Sequence, residues 1–594
     1  MKAFSLASVL TEPVQPDGLD CEENDIMTTQ PPSAATPSRW RRFQDWAARD
    51  DIEDYSLRYA PKSFRRWSPL ACAVTALGGI AYLADYSIGA SIAVTHGSSS
   101  AVIAILVAAV TIFLTGIPIA YYAAKYNLDM DLLTRGAGFG YFGSTLTSLI
   151  YASFCFIFFA LEGSIMAQAM KLAFHIPLPL GYVIGSLLII PLVLYGMSAL
   201  AKFQVWTQPL WLILFAAPLV MIAVADPSGF NGFLSWAGNG GSARVTAIGV
   251  GAGAGVALSL IAQIGEQVDY LRFMPEKSET PALRWWSAVL AAGPGWVILG
   301  AAKQLCGAFL AFYVAEQVGF TRATEPIEQF LGGYGALLHS HALALAIATI
   351  MVLLSQIKIN VTNAYSGSLS WSNFFSRVLH IHPGRVVWLA LHIAIALALM
   401  LGNMFTVLNT ILGFYSNVAI AWVGAIVADL VINKGILKIS PPYIEFKRAY
   451  LYPINPVGFG SMLAGSVLSI LAYFGAFGAM LQAWSPYLAL AVAVVLTPVI
   501  AVLTRGKYYL ARPNPLREEI EKEPLWAGQT LLDVVDGKRY ELPDMVHDCP
   551  FHAGAVSSLT CTLTKNCGEQ CQSPSYTDTV AADDLGLQAL PVRD

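Results

Sequence analysis

The stretch from Ala342 to Phe375 begins as an apolar membrane-spanning helix and then places polar side chains where hydrocarbon is expected. Those side chains are Gln356, Lys358, Asn360, Thr362 and Asn363. A lysine at the centre of a membrane helix costs roughly 2.5 to 3.5 kcal/mol, so such residues usually face a cavity or a partner. The stretch therefore predicts one wall of a solute site near the middle of the bilayer.

The spacing of these side chains divides them between two faces of the predicted helix. Asn360 and Asn363 stand three positions apart and share one face, whereas Lys358 and Thr362 stand four apart and share another. Both faces cannot point at lipid. Side-chain amides offer donors and acceptors together, which suits recognition of a polar solute.

The composition indicates one large membrane domain with polar ends. Hydrophobic residues make up 56% of the 594 positions and charged residues only 12%, against about 25% charged in soluble domains. A net charge of −4 gives no hint of nucleic-acid binding. We predict a cytosolic polar segment over 1–67, a transmembrane domain over 68–505 and a cytosolic tail over 506–594.

Twelve stretches are long and apolar enough to span a bilayer. They are residues 68–95, 99–124, 143–174, 181–200, 208–225, 247–268, 285–314, 343–371, 386–404, 407–432, 459–481 and 487–505. Lysine and arginine are concentrated before the first span and in every second loop after it, which predicts cytoplasmic N- and C-termini. We expect a multi-pass protein of the plasma (inner) membrane.

The first and sixth spans carry signs of a broken helix. The first reads LGGIAYLADYSIGAS, with Asp85 beside two glycines, and the sixth begins Gly-rich and ends with Gln263 and Glu266. Interrupted helices at corresponding positions of two inverted repeats indicate a binding site. The alternative is that the small residues only allow close helix packing. The pair of spans together favours broken helices.

Several motifs resemble the nucleobase–cation symporter family, the purine, cytosine, allantoin and hydantoin permeases. Residues 88–148 read IGASIAVTHG followed, after a gap, by GIPIAYYAAKYNLDMDLLTRGAGFGYFGSTLTS. Asp269-Tyr-Leu-Arg272-Phe273 is similar to the motif that closes the sixth span in that family, and Asn360–Ser366 to its Asn-rich eighth span. The resemblance implies an all-α polytopic membrane protein of leucine-transporter type, with two inverted five-helix repeats plus two extra helices.

The resemblance also implies roles for two residues of the third span. In the family an aromatic ring stacks on the flat substrate and a polar residue one turn later hydrogen-bonds it. These positions fall on Phe158 and Glu162. From the residues alone, Glu162 is the only ionisable group in the run 145–170, so it could bind N–H groups, carry a proton, or be satisfied by a neighbouring helix. Phe158 alone could equally face lipid or the core.

The eighth span departs from the family at its cation site. Hydroxyl-bearing residues that help to hold sodium are expected where this chain has Lys358, Ile359 and Asn360. A hard cation needs oxygen ligands, which an ammonium does not provide. We therefore expect Lys358 to substitute for the ion, with coupling by protons or without sodium; a structural pairing of Lys358 with Glu266 or Asp269 is the alternative. Gln263 and Glu266 are expected to line the cavity from the sixth span. Asp269 and Arg272 are expected to form a structural ion pair.

The tail contains four clustered cysteines, Cys549, Cys561, Cys567 and Cys571. In a reducing cytosol they could form a zinc or iron–sulfur site, although the Cys-x2-Cys spacing typical of zinc is missing. The segment resembles a Cys-rich linker of permease-like sensors that carry kinase or cyclase modules, but Asp533 and Asp536 stand where that linker has a further Cys pair. An unused remnant is the alternative to metal binding.

Three functions follow. The first is a secondary transporter that moves a nucleobase or related nitrogen heterocycle across the bilayer by alternating access, without a cofactor. The second is a sensor that binds such a solute and signals through the tail to a cytosolic partner. The third, a membrane enzyme, has no nucleotide-binding loop, nucleophile elbow or paired-histidine metal motif to support it.

Overall fold

The computed structural model describes residues 57, 59–65, 67–194, 196–522, 529–573 and 588–589. Most of the predicted N-terminal segment 1–67 and most of the chain after Ser573 lie outside these ranges.

The described chain is mainly helical. The helices are α1 Pro69–Gly78, α2 Ala84–His96, α3 Ser98–Tyr126, α4 Met130–Thr134, α5 Gly143–Phe174, α6 Leu178–Leu194, α7 Gly196–Ala225, α8 Ala247–Ala257, α9 Ile264–Leu271, α10 Ala282–Ala292, α11 Trp296–Val318, α12 Phe320–Ala323, α13 Pro326–Gly335, α14 His341–Leu379, α15 Arg385–Leu401, α16 Leu408–Ala428, α17 Pro456–Tyr473, α18 Gly478–Ala483, α19 Ser485–Leu503, α20 Pro515–Lys522 and α21 Ser558–Leu563. The strands are β1 Gln529–Leu532, β2 Arg539–Glu541, β3 Met545–Cys549, β4 Gly554–Ser557 and β5 Gln588–Ala589.

The apolar helices fall where the sequence predicts spans. Within the described ranges, nine helices are long and apolar enough to cross a membrane, one further span is a bent pair, and two shorter apolar helices occupy the predicted fourth and ninth positions. This pattern is consistent with twelve spans. The fifth helix begins earlier than predicted, at Gly196, so Lys202 lies inside α7 rather than in a loop.

The first span is broken in the middle. Ser68 caps α1 by accepting a hydrogen bond from the N–H of Ala71, and Pro69 occupies the first turn. The helix tightens over Gly79–Ala81, and Tyr82 is extended, so α2 restarts at Ala84 with a 50° bend. Backbone groups near the break therefore lack part of their helical hydrogen bonding.

The sixth span changes its helical geometry at the corresponding place. The Gly-rich α8 ends at Ala257, a 3₁₀ segment runs over Leu258–Gln263, and α9 continues from Ile264. The predicted break is present in the first span, whereas the sixth runs through as one helical span, Ala247–Leu271, that only tightens to 3₁₀ geometry in its middle.

Close backbone contacts position the first span against the seventh. A Cβ on Gly89 of α2 would lie 1.9 Å from the carbonyl oxygen of Gln304, and one on Gly307 of α11 would lie 2.3 Å from the carbonyl oxygen of Tyr86. Only glycine permits this approach from both sides. The third and eighth spans, α5 and α14, pack along one another.

The tail packs on the membrane domain through two small sheets. Strands β2, β1 and β5 form one antiparallel sheet, and β3 pairs with β4. Strands β1 and β2 are consecutive in the chain and form a hairpin. Glu541 accepts hydrogen bonds from the Tyr59 hydroxyl and the backbone N–H of Lys62, both at 2.7 Å. The tail is therefore anchored to the segment that enters the first span.

Candidate functional site

Two buried carboxylates, those of Glu162 and Glu266, lie close to the break of the first span and to the 3₁₀ stretch of the sixth. Glu162 of the third span accepts a hydrogen bond through Oε1 from the N–H of Ala84, at 3.1 Å, where α2 begins. Glu266 of the sixth span accepts one from the Gln263 side chain. The hydroxyl of Tyr82, in the first break, lies within electrostatic range of both carboxylates. Phe158 is the one apolar side chain among the predicted site residues.

Polar atoms of this cluster are left without partners. The Oε2 atom of Glu162 and the Oε1 atom of Glu266 have no partner in good hydrogen-bonding geometry among the residues that the structure describes, and neither do the amide atoms of Gln356, whose side chain lies beside Glu162. Most buried polar groups in proteins are hydrogen-bonded, so several unsatisfied ones together call for an explanation. A bound polar molecule would provide it.

The eighth span brings its amides to the same place. The Asn360 side chain lies beside Gly163, the residue after Glu162, and its Oδ1 atom accepts a hydrogen bond from Asn363 at 3.2 Å. The Oδ1 atom of Asn363 has no hydrogen-bond partner in the described part of the chain. The structure thus places Asn360 beside the third span near Glu162, with Asn363 joined to it.

An aromatic ring lies one helical turn before Glu162. Phe158 is buried and packs against Phe154 with ring centroids 4.5 Å apart. A ring at this position provides a flat apolar surface beside the carboxylate. The i, i+4 relationship predicted for Phe158 and Glu162 is present within α5.

The ammonium at the break of the first span comes from Lys303, on the seventh span. Its Nζ atom donates to the carbonyl oxygens of Ile80 at 2.6 Å and Tyr82 at 3.0 Å, and lies 2.9 Å from Oδ2 of Asp85. It also stands 3.6 Å from the centre of the Tyr82 ring. Gln304 donates to the other oxygen of Asp85 at 2.8 Å.

Lys358, which we expected to substitute for the coupling ion or to pair with Glu266 or Asp269, binds the fifth span instead. Its Nζ atom donates to the carbonyl oxygen of Gln204 at 3.0 Å and to the Thr207 hydroxyl at 2.8 Å, both on the fifth span. Gln204 in turn donates to the carbonyl oxygen of Lys358. Lys358 faces away from the break because its side chain leaves α14 on the side that packs against α7. Its place as the ammonium at the break is taken by Lys303.

The end of the sixth span is held by hydroxyl groups. Asp269 accepts hydrogen bonds from Ser366 at 2.6 Å and Tyr151 at 3.0 Å. Arg272 donates to the Tyr365 hydroxyl at 2.9 Å and acts on Asp269 electrostatically. These contacts join the third, sixth and eighth spans, which agrees with a structural role.

A cavity of about 800 Å³ opens on the face opposite the tail. It lies among the loops that follow the first, third, seventh and ninth spans. Residues of its wall include Ser91, Ser164, Gln168, Glu325, Glu328 and Asn409. The opposite face is covered, because the tail contacts Lys62 before the first span, His380 after the eighth and Arg448 after the tenth.

The four tail cysteines line one small cavity, of about 20 Å³. Burial raises the pKa of the Cys561 thiol to about 12. Among the described residues, no group of three or more His, Cys, Asp or Glu side chains is placed to hold a metal ion. Metal binding by the tail stays a prediction.

Sequence reasoning missed Lys303, although a signal was available. Lys303 is a lone lysine in the apolar run that forms the seventh span. The criterion that drew attention to Lys358, an expensive charge inside a span, applies to it equally.

Comparison with protein-family models identifies a permease family, which suits a polar cluster buried among membrane spans. Residues 59–490 match the model of a family described as permeases for cytosine and purines, uracil, thiamine and allantoin. No curated protein matches the chain.

Two solved structures share the fold. One is Mhp1, a nucleobase-cation-symport-1 family transporter, closed with bromovinylhydantoin bound; it is 16% identical, has a TM-score of 0.56, and the alignment covers 77% of this chain and 99% of Mhp1. The other is Mhp1 in its inward-facing conformation, at 17% identity and a TM-score of 0.54, covering 77% and 97%. These likenesses establish a leucine-transporter-type fold.

Proposed function

The chain belongs to the cytosine, purine, uracil, thiamine and allantoin permease family, and on that basis we propose that it carries a nucleobase or related nitrogen heterocycle across the plasma membrane by alternating access. As a member of a multi-pass transporter family it is a transporter rather than an enzyme. The specific substrate class, the coupling and the cytoplasmic placement of both termini are parts of the proposal.

The unsatisfied polar atoms around Glu162 carry the proposal. Carboxylate oxygens of Glu162 and Glu266 accept N–H groups, whereas the amides of Gln356 and Asn363 can both donate and accept. A purine, pyrimidine or hydantoin ring presents N–H and C=O groups at its edge and a flat apolar face. Phe158 offers the complementary surface for that face. The hydantoin bound to Mhp1 is a molecule of this kind.

The asymmetry of the two faces supports alternating access. The 800 Å³ cavity opens on one face, and the tail and the loops after the eighth and tenth spans cover the other. The break in the first span allows a helix half to move without unfolding the whole helix, and a 3₁₀ stretch such as that of the sixth span often marks a hinge. The tail packs on the membrane domain's own loops, and this leaves the sensor hypothesis without a specific observation in its favour.

We further propose transport that does not use sodium. Protons are the candidate coupling ion, since Glu162 and Glu266 each keep one unsatisfied oxygen. Lys358 donates its hydrogen bonds to the fifth span, so it does not act as the substitute for sodium. Another group must make transport independent of sodium.

Ligand binding to the purified full-length protein tests the proposal. A thermal-shift screen of purines, pyrimidines, allantoin and hydantoins should find at least one compound that raises the melting temperature in a saturable way, because a ligand stabilises the state it binds. Sugars and amino acids provide the comparison set. A screen in which amino acids stabilise the protein and no heterocycle does would contradict it.

A further inference from the structure

The Lys303 ammonium has a complete set of oxygen partners at the break of the first span. An ammonium carries three N–H donors. Three oxygens surround it within 3.0 Å: the carbonyls of Ile80 and Tyr82 and the Oδ2 atom of Asp85. Both charged side chains are fully buried, with 0% exposure.

The surroundings fix the ammonium in place. Gly89 and Gly307 let the backbones of the first and seventh spans touch. The break of the first span is therefore close enough to α11 for a lysine side chain to reach it. Gln304, next to Lys303, holds the second oxygen of Asp85. The pair therefore joins two spans, and both of its side chains are shielded from bulk solvent.

The same three oxygens are a typical set of ligands for a monovalent metal cation. Unwound carbonyls and a carboxylate coordinate such ions in transporters with broken helices, and hard cations select oxygen donors. The positive charge of the ammonium balances Asp85, which would otherwise be an uncompensated buried carboxylate.

We propose that Lys303 is a tethered cation that occupies a metal-cation position formed by Ile80, Tyr82 and Asp85, and that its ammonium makes the break of the first span independent of dissolved sodium. This inference rests on the proposed function for its meaning in transport. Its structural content, that removing the ammonium creates a sodium site, is independent of any substrate.

The test uses purified full-length variants and needs no substrate. Lys303→Ala removes the ammonium and leaves the oxygens with space between them. We expect its melting temperature to rise with sodium in a saturable way, by about 2 °C or more relative to equal concentrations of choline chloride. The wild type should respond equally to the two salts.

Matched variants distinguish a vacated site from a general salt effect. Lys358→Ala removes another fully buried ammonium, and we expect no specific sodium response from it. Lys303→Met fills the space with an apolar chain and should also lack the response. Lys303→Ala combined with Asp85→Asn should lose it, because the anionic ligand is gone.

Methylammonium offers an independent readout. A small ammonium should bind the space in Lys303→Ala and raise its melting temperature, whereas the bulkier tetramethylammonium should not. If Lys303→Ala folds only when sodium or methylammonium is present during purification, the proposal is supported.

Three results would overturn the inference. The first is a saturable, sodium-specific stabilisation of the wild type. The second is a folded Lys303→Ala protein that responds alike to sodium and choline. The third is a Lys303→Ala protein that folds with neither sodium nor methylammonium, while Lys303→Met folds normally. The last two would mean a structural ion pair only. Failure of the proposed function would appear separately, as the absence of heterocycle binding by the wild type.

Discussion

Glu162 accepts a hydrogen bond from the backbone N–H of Ala84 through one carboxylate oxygen, and its other oxygen is buried without a partner in the described chain. The bonded oxygen joins the third span to the first turn of α2, where a carboxylate is favourable because helix N-termini carry free N–H groups and a partial positive charge. The sequence left three roles open for this residue: satisfaction by a neighbouring helix, binding of a solute and carriage of a proton. The geometry assigns one oxygen to the first role and leaves the second oxygen available.

Replacing Glu162 by Gln should weaken heterocycle binding. The change removes the negative charge from a hydrogen bond to the substrate, and bonds to charged groups contribute about 1.5 to 3 kcal/mol, or roughly 10- to 150-fold in affinity. Isothermal titration with the best compound from the thermal-shift screen measures this. The control is Glu328→Gln, a carboxylate paired with Arg322 at the cavity rim, which should bind within about twofold of wild type. Unchanged affinity of Glu162→Gln would remove this residue from the site.

Removing the ring of Phe158 should also weaken binding, by a different cause. Stacking of a base on an aromatic side chain is worth about 1 to 3 kcal/mol, so Phe158→Ala should lose about tenfold or more in affinity. Phe158→Trp keeps a flat ring and should retain most of it. A Phe158→Leu variant that bound like wild type would show that the ring does not stack on the substrate and only fills the core.

Lys358 should matter for stability and little for substrate binding. Lys358→Met loses two hydrogen bonds to the fifth span, so the Gln204 carbonyl and the Thr207 hydroxyl each lose a donor. Such losses cost about 1 to 3 kcal/mol each, so the melting temperature should fall. Affinity for the heterocycle should stay within about threefold. A variant of normal stability that fails to bind substrate would instead put Lys358 in the site.

The tail should be a folded, docked part of the protein. Burial raises the pKa of Cys561 to about 12, and only the thiolate reacts with iodoacetamide. Near pH 8, a variant with Cys561 as its sole tail cysteine should therefore react on the order of a thousandfold more slowly than a free thiol with a pKa near 8.5. Labelling in denaturant should be fast, as the control. Fast labelling of the native protein would mean that the tail does not pack as described.

Much of the fold could be predicted from the sequence, because membrane spans have a strong signal. Long apolar runs and the alternation of basic loops indicate the positions of the helices, and glycines beside Asp85 indicate the first break. The boundary between the fourth and fifth spans was placed less well. Lys202 and Gln204 make that region look polar, but the Gln204 amide donates to the backbone carbonyl of Lys358 on the eighth span and the helix continues through it.

The site could be predicted in part. Glu162 and the Asn360–Asn363 pair were found because they are polar residues in apolar runs, and that signal is local. The identity of the ammonium at the break was beyond a local signal, since Lys303 and Lys358 are both lone lysines inside spans. Which of them reaches the first span depends on the close approach of Gly89 and Gly307, a contact between distant parts of the chain.

Uptake by the full-length protein in liposomes tests the central claim most directly. Purified protein is reconstituted with choline as the only added monovalent cation on both sides, and entry of a radiolabelled heterocycle chosen from the binding screen is followed with time. We predict saturable uptake that is lost in Glu162→Gln and does not increase when a sodium gradient is imposed. Uptake that occurs only with the sodium gradient, or saturable binding of the heterocycle with no accumulation under any gradient, would contradict this account.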